Sequence, residues 1–346
     1  MRGILASRRF QAVASAVLAI GLFAYFLSRV PLREIGASIR SASPAWLAAS
    51  VGISLTTFLF RSLRWVWILR PLGRVPFVPA LRATAIGFAA NTVLPARAGE
   101  ILRPAILARE RDLPFAALLA SIVFERILDA LSVLCYLGIA LAASPGLGEG
   151  GPISLSRVRW VVAGLAAIAV GVALFAVFWR EATEAFFELL FKALPERFRP
   201  TARRIARTFL DGFASLKTPR LAALVGAGSL FLWLIINVQV YCVMRAFGLD
   251  LPLTAAFVTT AAAVLGLFVP TPGGVGGYHA AVQFVLTSLY RVALATATGV
   301  ALIAHAVSFV PISIVGFAFF AASPWRRTGL RELAADAGAR STGEVG

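Results

Sequence analysis

The sequence is poor in charge. Only 14% of its 346 residues are charged, while 59% are hydrophobic. Its mean hydropathy of +0.85 lies outside the range of soluble globular domains. No polar stretch is long enough to fold as a separate soluble enzyme, so any activity must reside in the membrane-embedded part or at its surfaces. Lysine is nearly missing, with Lys192 and Lys217 the only two, so arginine carries the net charge of +17. Such a surplus favours contact with anionic lipid. Cysteine and histidine are equally scarce, at two each. Cys135 and Cys242 lie in apolar runs with no second thiol or histidine at metal-ligand spacing. His279 and His305 form neither a His-x-x-x-His nor a Glu-x-x-His pattern. No metal and no cofactor is expected.

What the chain does have is long apolar runs, and these predict an all-α, polytopic helical membrane protein forming a single integral domain over residues 1–346. The run at 10–28 follows Arg2, Arg8 and Arg9 and reads as a retained first span. It is longer than a usual signal core, and Ser28-Arg29-Val30-Pro31 offers no cleavage site. A second span covers 45–60 and ends in Arg61-Ser62-Leu63-Arg64-Trp65-Val66-Trp67. Arginine mixed with tryptophan there reads as an anchor at the cytoplasmic interface, although either arginine could instead reach a lipid phosphate. Further spans are expected at 114–143, 158–179, 221–247 and 294–320. The Gly, Pro and Ser-rich stretch at 144–157 reads as an external loop. Residues 180–220 interleave basic and aromatic side chains, as interfacial helices on an anionic leaflet do. Nucleic acid is not the expected partner, because these charges sit between two spans and form no soluble fold.

Two stretches break the apolar pattern. In Asn91-Thr92-Val93-Leu94-Pro95-Ala96-Arg97-Ala98-Gly99-Glu100-Ile101-Leu102-Arg103-Pro104, a helix beginning near Arg82 should fail near Leu94. Freed backbone groups survive at membrane depth only against protein or a water-filled cavity, so the segment should line one. Arg97, Glu100 and Arg103 would share one stripe of a restarted helix. This predicts a polar site for an anionic head group; the alternative is an ordinary extramembrane loop with solvated charges. The second break, Pro270-Thr271-Pro272-Gly273-Gly274-Val275-Gly276-Gly277-Tyr278-His279, interrupts an apolar segment at 253–290. Its glycines permit close backbone approach, and the helix that follows would point its positive end at the break. Between the breaks, Glu125, Arg126 and Asp129 lie inside an apolar run, with Glu125 and Asp129 on one helical face. They read either as a buried acidic pair that holds Arg97 or Arg103 or carries protons, or as a structural ion pair.

Charge distribution places the N-terminus, residues 61–82, residues 180–220 and the tail at 323–346 in the cytoplasm. The run from Pro114 to Ala143 reaches the external loop by itself, so residues 82–112 must return to the side they left. The same count makes 253–290 re-entrant from outside. About six full spans plus two re-entrant broken helices result, one in the first half (1–143) and one in the second (221–322). This is the arrangement expected of inverted repeats around a midplane site. Arg29, Arg33 and Arg40 in the first external loop go against the charge rule.

The ordered motifs, Asn91 to Leu94-Pro95-x-Arg97-x-Gly99-Glu100-x-x-Arg103, Glu125-Arg126-x-x-Asp129 and Pro270-x-Pro272-Gly273-Gly274-Val275-Gly276, resemble the lysylphosphatidylglycerol synthase transmembrane-region family, also called the flippase-like domain family. The likeness runs from about residue 10 to about 322. It implies a membrane protein that moves or handles lipids such as aminoacylated phospholipids, hopanoids or lipid-linked sugars. Many relatives carry an acidic residue after the Pro-Gly-Gly motif, where this chain has Tyr278-His279, and His279 could take its place near neutral pH. No fused aminoacyl-transfer domain is present, so this chain alone should not synthesise the lipid.

The expected function is a lipid translocase of a bacterial inner membrane, with membrane lipid, anionic in kind, as its partner. Arg97 and Arg103 would engage a head-group phosphate, and Glu100, Glu125 and Asp129 would position them. Asn91, Arg126, Pro272, Gly273, Gly274, Gly276 and His279 complete the expected site. Two alternatives stand beside it: an intramembrane transferase using Glu100 or Glu125 as base, and a non-catalytic subunit that serves a lipid-modifying enzyme.

Overall fold

The computed structural model describes residues 16–94, 97–144, 218–269 and 271–324, with isolated positions between 160 and 203. Pro95, Ala96, Pro270 and most of the expected external loop, of the span at 158–179, of the interfacial segment and of the tail lie outside the described residues. Among the described residues all regular structure is helical: α1 (Ala16–Ser28), α2 (Leu32–Arg40), α3 (Pro44–Leu69), α4 (Phe77–Val93), α5 (Gly99–Arg111), α6 (Phe115–Ala143), α7 (Pro219–Ala246), α8 (Leu253–Gly266), α9 (Gly277–Ser288) and α10 (Leu294–Ala321). Three of these, α3, α7 and α10, are long and apolar enough to cross a membrane. At 29 residues α6 has the length to do so as well.

Prolines explain most of the boundaries. Pro31, Pro76, Pro114 and Pro252 each sit immediately before a helix, where the missing N–H costs nothing. Pro31 also marks a bend of 81° between α1 and α2. The stretch expected to be the first external loop contains a short helix, α2, with Arg33 and Arg40 on it. A correction concerns α3, which runs unbroken to Leu69 instead of ending near Phe60. Arg61 and Arg64 are therefore inside a helix, and the structure buries both.

Helix α3 runs antiparallel to α7. Ser43 N–H donates to the Ala246 carbonyl at 2.8 Å, Ser50 Oγ to the Gln239 carbonyl at 3.1 Å, and Arg64 reaches Ser229 near the other end at 2.9 Å. Helix α10 packs beside both and continues through Pro311. Proline leaves the carbonyl four residues earlier without its intrahelical donor. That carbonyl is Val307, and Ser54 Oγ from α3 donates to it at 2.8 Å.

Helices α4 and α5 form a hairpin whose two feet meet. Arg82 pairs with Glu110 at 2.7 Å, and Gly73 lies against Leu113. The arms touch at Gly87 and Gly99, where a Cβ on Gly99 would land on the Gly87 carbonyl. Helices α8 and α9 form a second hairpin with the same device, Gly266 against Gly277. Its feet, Leu253 and Tyr290, share a cluster. The first hairpin's feet sit where α3 and α10 end, around Trp65, Leu69, Val75 and Phe320. Those of the second sit where α10 begins and α7 ends, around Val243, Leu253 and Ala297. The hairpins thus enter from opposite ends, and their tips meet where Gly273 packs on Thr92.

Candidate functional site

One stripe of α6 builds the centre of the site. Ser121, Glu125 and Asp129 repeat every four residues, so they face the same way, and all three are buried. Arg64 of α3 fits between the two carboxylates: Nη2 donates to Glu125 Oε1 and Nη1 to Asp129 Oδ1, each at 2.8 Å. The other oxygen of Glu125 accepts from Arg103 Nη1 at 2.7 Å. Asp129 also accepts from Trp233 Nε1 at 2.9 Å. Arg61 approaches Asp129 Oδ2 at 3.5 Å and lies over the Phe88 ring. Arg126 reaches the same oxygen at 3.0 Å. Arg103 comes from α5, over Gly87 of α4, where a Cβ would sit 2.9 Å from Arg103 Cβ. Its guanidinium stacks on Trp65, 3.8 Å from the ring centroid, while Trp65 Nε1 donates to Ser121 Oγ at 2.9 Å. Stacking of a guanidinium on indole is a favourable cation–π arrangement.

A more open rim surrounds this core. Arg97 precedes α5 in a left-handed backbone conformation, φ 53°, which is uncommon for a side chain of this size. It lies 3.7 Å from Glu100 with 45% of its side chain exposed. Arg126 approaches the same Glu100 at 4.0 Å. Arg97 Nη2 also donates to the Leu267 carbonyl at 3.2 Å, and its guanidinium lies over the Phe268 ring. Asn91 Oδ1 accepts from Gly99 N–H at 2.8 Å, which satisfies one of the orphan donors at the start of α5. Of the expected pair partners for Glu125, the structure brings in Arg103 and not Arg97.

At the second break, Pro272–Gly274 forms a single 3-10 turn. Gly273, Gly274 and Gly276 all have positive φ, at 61°, 70° and 90°, so the turn requires glycine for its backbone alone. Gly274 is also pressed against Leu267 and Gly276 against Leu22 of α1. His279 is buried. Its Nδ1 accepts from Gly276 N–H at 3.3 Å, and its ring meets Phe23, Phe26 and His305. His305 donates from Nε2 to the Gly273 carbonyl at 2.8 Å. These contacts make the second break a shaped, tethered tip, held by histidines from α9 and α10.

The chemistry of the centre follows from its charges. Five arginines, at positions 61, 64, 97, 103 and 126, face three carboxylates, at 100, 125 and 129. Two positive charges are left over. Several donors are also unused: Arg103 Nε and Nη2, Arg61 Nε and Arg126 Nε are buried without a hydrogen-bond partner. Buried guanidinium donors are costly to leave unpaired, and an oxyanion is the group that fits them.

Arg61 and Arg64 were missing from the expected site. Their neighbours Trp65 and Trp67 imitate an interfacial belt in sequence, and the correct reading needs Glu125 and Asp129, sixty residues away in the chain, as partners. Arg61 and Arg64 are central ion-pair residues and not membrane-interface anchors.

Comparison with known proteins gives the family. Residues 12–316 match the family described as the lysylphosphatidylglycerol synthase TM region, and the chain belongs to it. The chain is similar to a glycosyltransferase, AglD, of Haloferax volcanii, with 27% identity over 341 residues that cover 90% of this chain and 54% of AglD. It thus spans about half the length of that relative. It is also similar to a UPF0104 membrane protein of Methanothermobacter thermautotrophicus, with 25% identity over 311 residues, covering 82% of this chain and 87% of that one. The chain is an integral membrane protein of this family.

Proposed function

We propose that this member of the lysylphosphatidylglycerol synthase transmembrane-region family is a lipid translocase that carries an anionic or modified lipid between the leaflets of a bacterial inner membrane. The observation that carries the reading is the buried surplus of guanidinium charge on α3, α5 and α6, with Arg103 donors left unpaired. Charged groups at membrane depth are costly, and those retained there mark pathways for charged cargo. A phosphate crossing the hydrocarbon needs such compensation. The carboxylates of Glu125 and Asp129 hold the arginines apart and oriented until the head group replaces them.

The two hairpins support alternating access. They enter from opposite ends, each crossed by a glycine pair, and meet tip to tip beside the arginines. We read them as re-entrant elements of an inverted repeat, with about six full spans around them and both termini in the cytoplasm. Rocking one hairpin against the other would expose Arg97 and Arg126 to one leaflet at a time.

A second reading is favoured by the likeness to AglD, which is named a glycosyltransferase. In that reading the chain transfers a group to a lipid, or serves an enzyme that does. Glu125 is badly placed as a base because arginines hold both of its oxygens; Glu100, at the rim, is the better candidate.

The deciding experiment is leaflet-resolved exchange of labelled lipids in proteoliposomes. The native protein is expected to speed exchange of an anionic lipid, and Arg103→Ala and Arg97→Ala to abolish it while the protein still elutes as a folded species. Turnover of labelled lipid in detergent, where no leaflets exist, would favour the transferase. Exchange unchanged in both folded variants would remove the arginines from the function.

A further inference from the structure

The charge balance of the site says more than that the cargo is anionic. Resting on the translocase reading, we infer that the site selects a head group bearing two negative charges at one phosphate terminus, a phosphomonoester or a diphosphate, over a singly charged phosphodiester.

The number of charges is the first ground. The ion network is continuous: Arg64 joins Glu125 to Asp129, Arg61 adds to Asp129, Arg103 extends it into α5, and Arg126 joins Asp129 to Glu100 and so to Arg97. Within it the guanidinium groups outnumber the carboxylates by two. A phosphodiester would cancel half of that surplus, the part that belongs to the buried Arg61, Arg64 and Arg103, and leave one unneutralised cation at the part-exposed rim of Arg97 and Arg126. A dianion cancels all of it.

The donors lead to the same class. Arg103 is only 3% exposed, yet both Nε and Nη2 lack partners. Nε and one Nη form the edge of a guanidinium that grips two oxygens of one phosphate at once. Arg61 Nε and Arg126 Nε add two more unpaired donors around the same Asp129. A terminal phosphate offers three acceptor oxygens, whereas a phosphodiester has two non-bridging ones. With Arg64 Nε, five guanidinium nitrogens of the network lack a partner, and they call for the richer acceptor.

Ordinary zwitterionic lipids fit poorly. Their ammonium or choline would enter a network already in cationic excess. The selected cargo is therefore a lipid ending in phosphate or diphosphate, whatever its hydrophobic part. A soluble phosphate shares the same head chemistry, so the test must separate the two.

The full chain in nanodiscs of zwitterionic lipid would be titrated with short-chain phosphatidic acid, phosphatidylglycerol and inorganic phosphate, at pH 8 and pH 5. The second ionisation of a phosphomonoester lies at about 6, so phosphatidic acid is a dianion at the higher pH and a monoanion at the lower one. Phosphatidylglycerol has one charge at both. The expected result at pH 8 is a preference for phosphatidic acid of about tenfold, the ratio that one charge-assisted hydrogen bond supports, disappearing at pH 5. Arg126→Gln lowers the surplus by one and should erase the preference. Glu100→Gln raises it by one and should enlarge the preference. Both side chains are partly exposed, at 34% and 29%, so these variants should fold. Equal binding of phosphatidic acid and phosphatidylglycerol at pH 8 would overturn the selection for a dianion and leave the translocase reading intact. Binding of neither anionic lipid would overturn both. Inorganic phosphate that displaces phosphatidic acid at equal concentration would make the cargo a soluble phosphate and not a lipid.

Discussion

Arg97 of the first hairpin donates a hydrogen bond to the backbone carbonyl of Leu267 in the second, 3.2 Å away. The two residues are 170 positions apart in the chain, and each belongs to a tip in which a helix is interrupted. A carbonyl at a helix C-terminus has no intrahelical donor, so the arginine supplies one while its guanidinium rests over Phe268. The contact ties two elements that enter from opposite ends, and it does so with a residue whose side chain is nearly half exposed.

Cutting that tie should affect movement more than folding. Arg97→Ala is expected to cost no more than about 1 kcal/mol of stability, the scale of one net hydrogen bond. Lipid exchange in proteoliposomes should fall by at least about tenfold. Arg97→Lys keeps the charge but loses the planar fork, and it should recover exchange only in part. Full exchange by the alanine variant would show that the tips move without the tie.

Arg64 should behave in the opposite way. It bridges Glu125 and Asp129 with no exposed side-chain surface, so its removal takes a charged partner from each of two buried carboxylates, leaving Glu125 to Arg103 and Asp129 to Trp233, Arg126 and Arg61. Arg64→Gln is expected to destabilise the protein by about 2–3 kcal/mol, the scale of lost charge-assisted hydrogen bonds, visible as a drop in the unfolding midpoint in detergent. Arg64→Lys should be nearly as damaging, since one ammonium cannot replace a fork that spans two carboxylates. A lysine variant with native stability would mean that charge alone suffices at this position.

Sequence reasoning reached the parts of the site whose cause is local. Pro95 and Gly99 announce a break after Leu94, and α4 ends at Val93. Glu125 and Asp129 stand four apart in an apolar run, and the structure puts both on the buried stripe of α6. What was not legible depends on partners distant in the chain. Arg61 and Arg64 look like an anchor because the charges that neutralise them lie on another helix. That Asn91 accepts from the N–H of Gly99, at the start of a helix eight residues later, was likewise not legible. His305 lies mid-span with nothing nearby in sequence to suggest that it holds the Gly273 carbonyl.

The glycine pairs make a prediction about the hairpins themselves. A methyl group on Gly99 would collide with the Gly87 carbonyl and the Asn91 side chain, and backbone cannot yield as a flexible side chain does. Gly99→Ala should cost about 1–3 kcal/mol through overpacking and reduce the yield of folded protein. Gly138→Ala is the control: nothing lies within 4 Å of a Cβ there, and alanine is the better helix former by about 0.5–1 kcal/mol. Unfolding midpoints in detergent should therefore move in opposite directions. Equal effects would mean that the helices of the hairpin separate easily.

The last prediction concerns Ser54 and Pro311, which share no hydrogen bond yet should be coupled. Pro311 deprives the Val307 carbonyl of its intrahelical donor, and Ser54 Oγ donates to that carbonyl instead. Ser54→Ala in the native background leaves a buried carbonyl unpaired and should cost about 1–3 kcal/mol. In a Pro311→Ala background the residue 311 N–H is restored, the helix pairs Val307 itself, and the same Ser54→Ala change should cost well under 1 kcal/mol. The double-mutant cycle isolates the difference as a coupling energy. Additive effects would show that Ser54 stabilises α10 by packing, and that the carbonyl freed by proline finds its partner elsewhere.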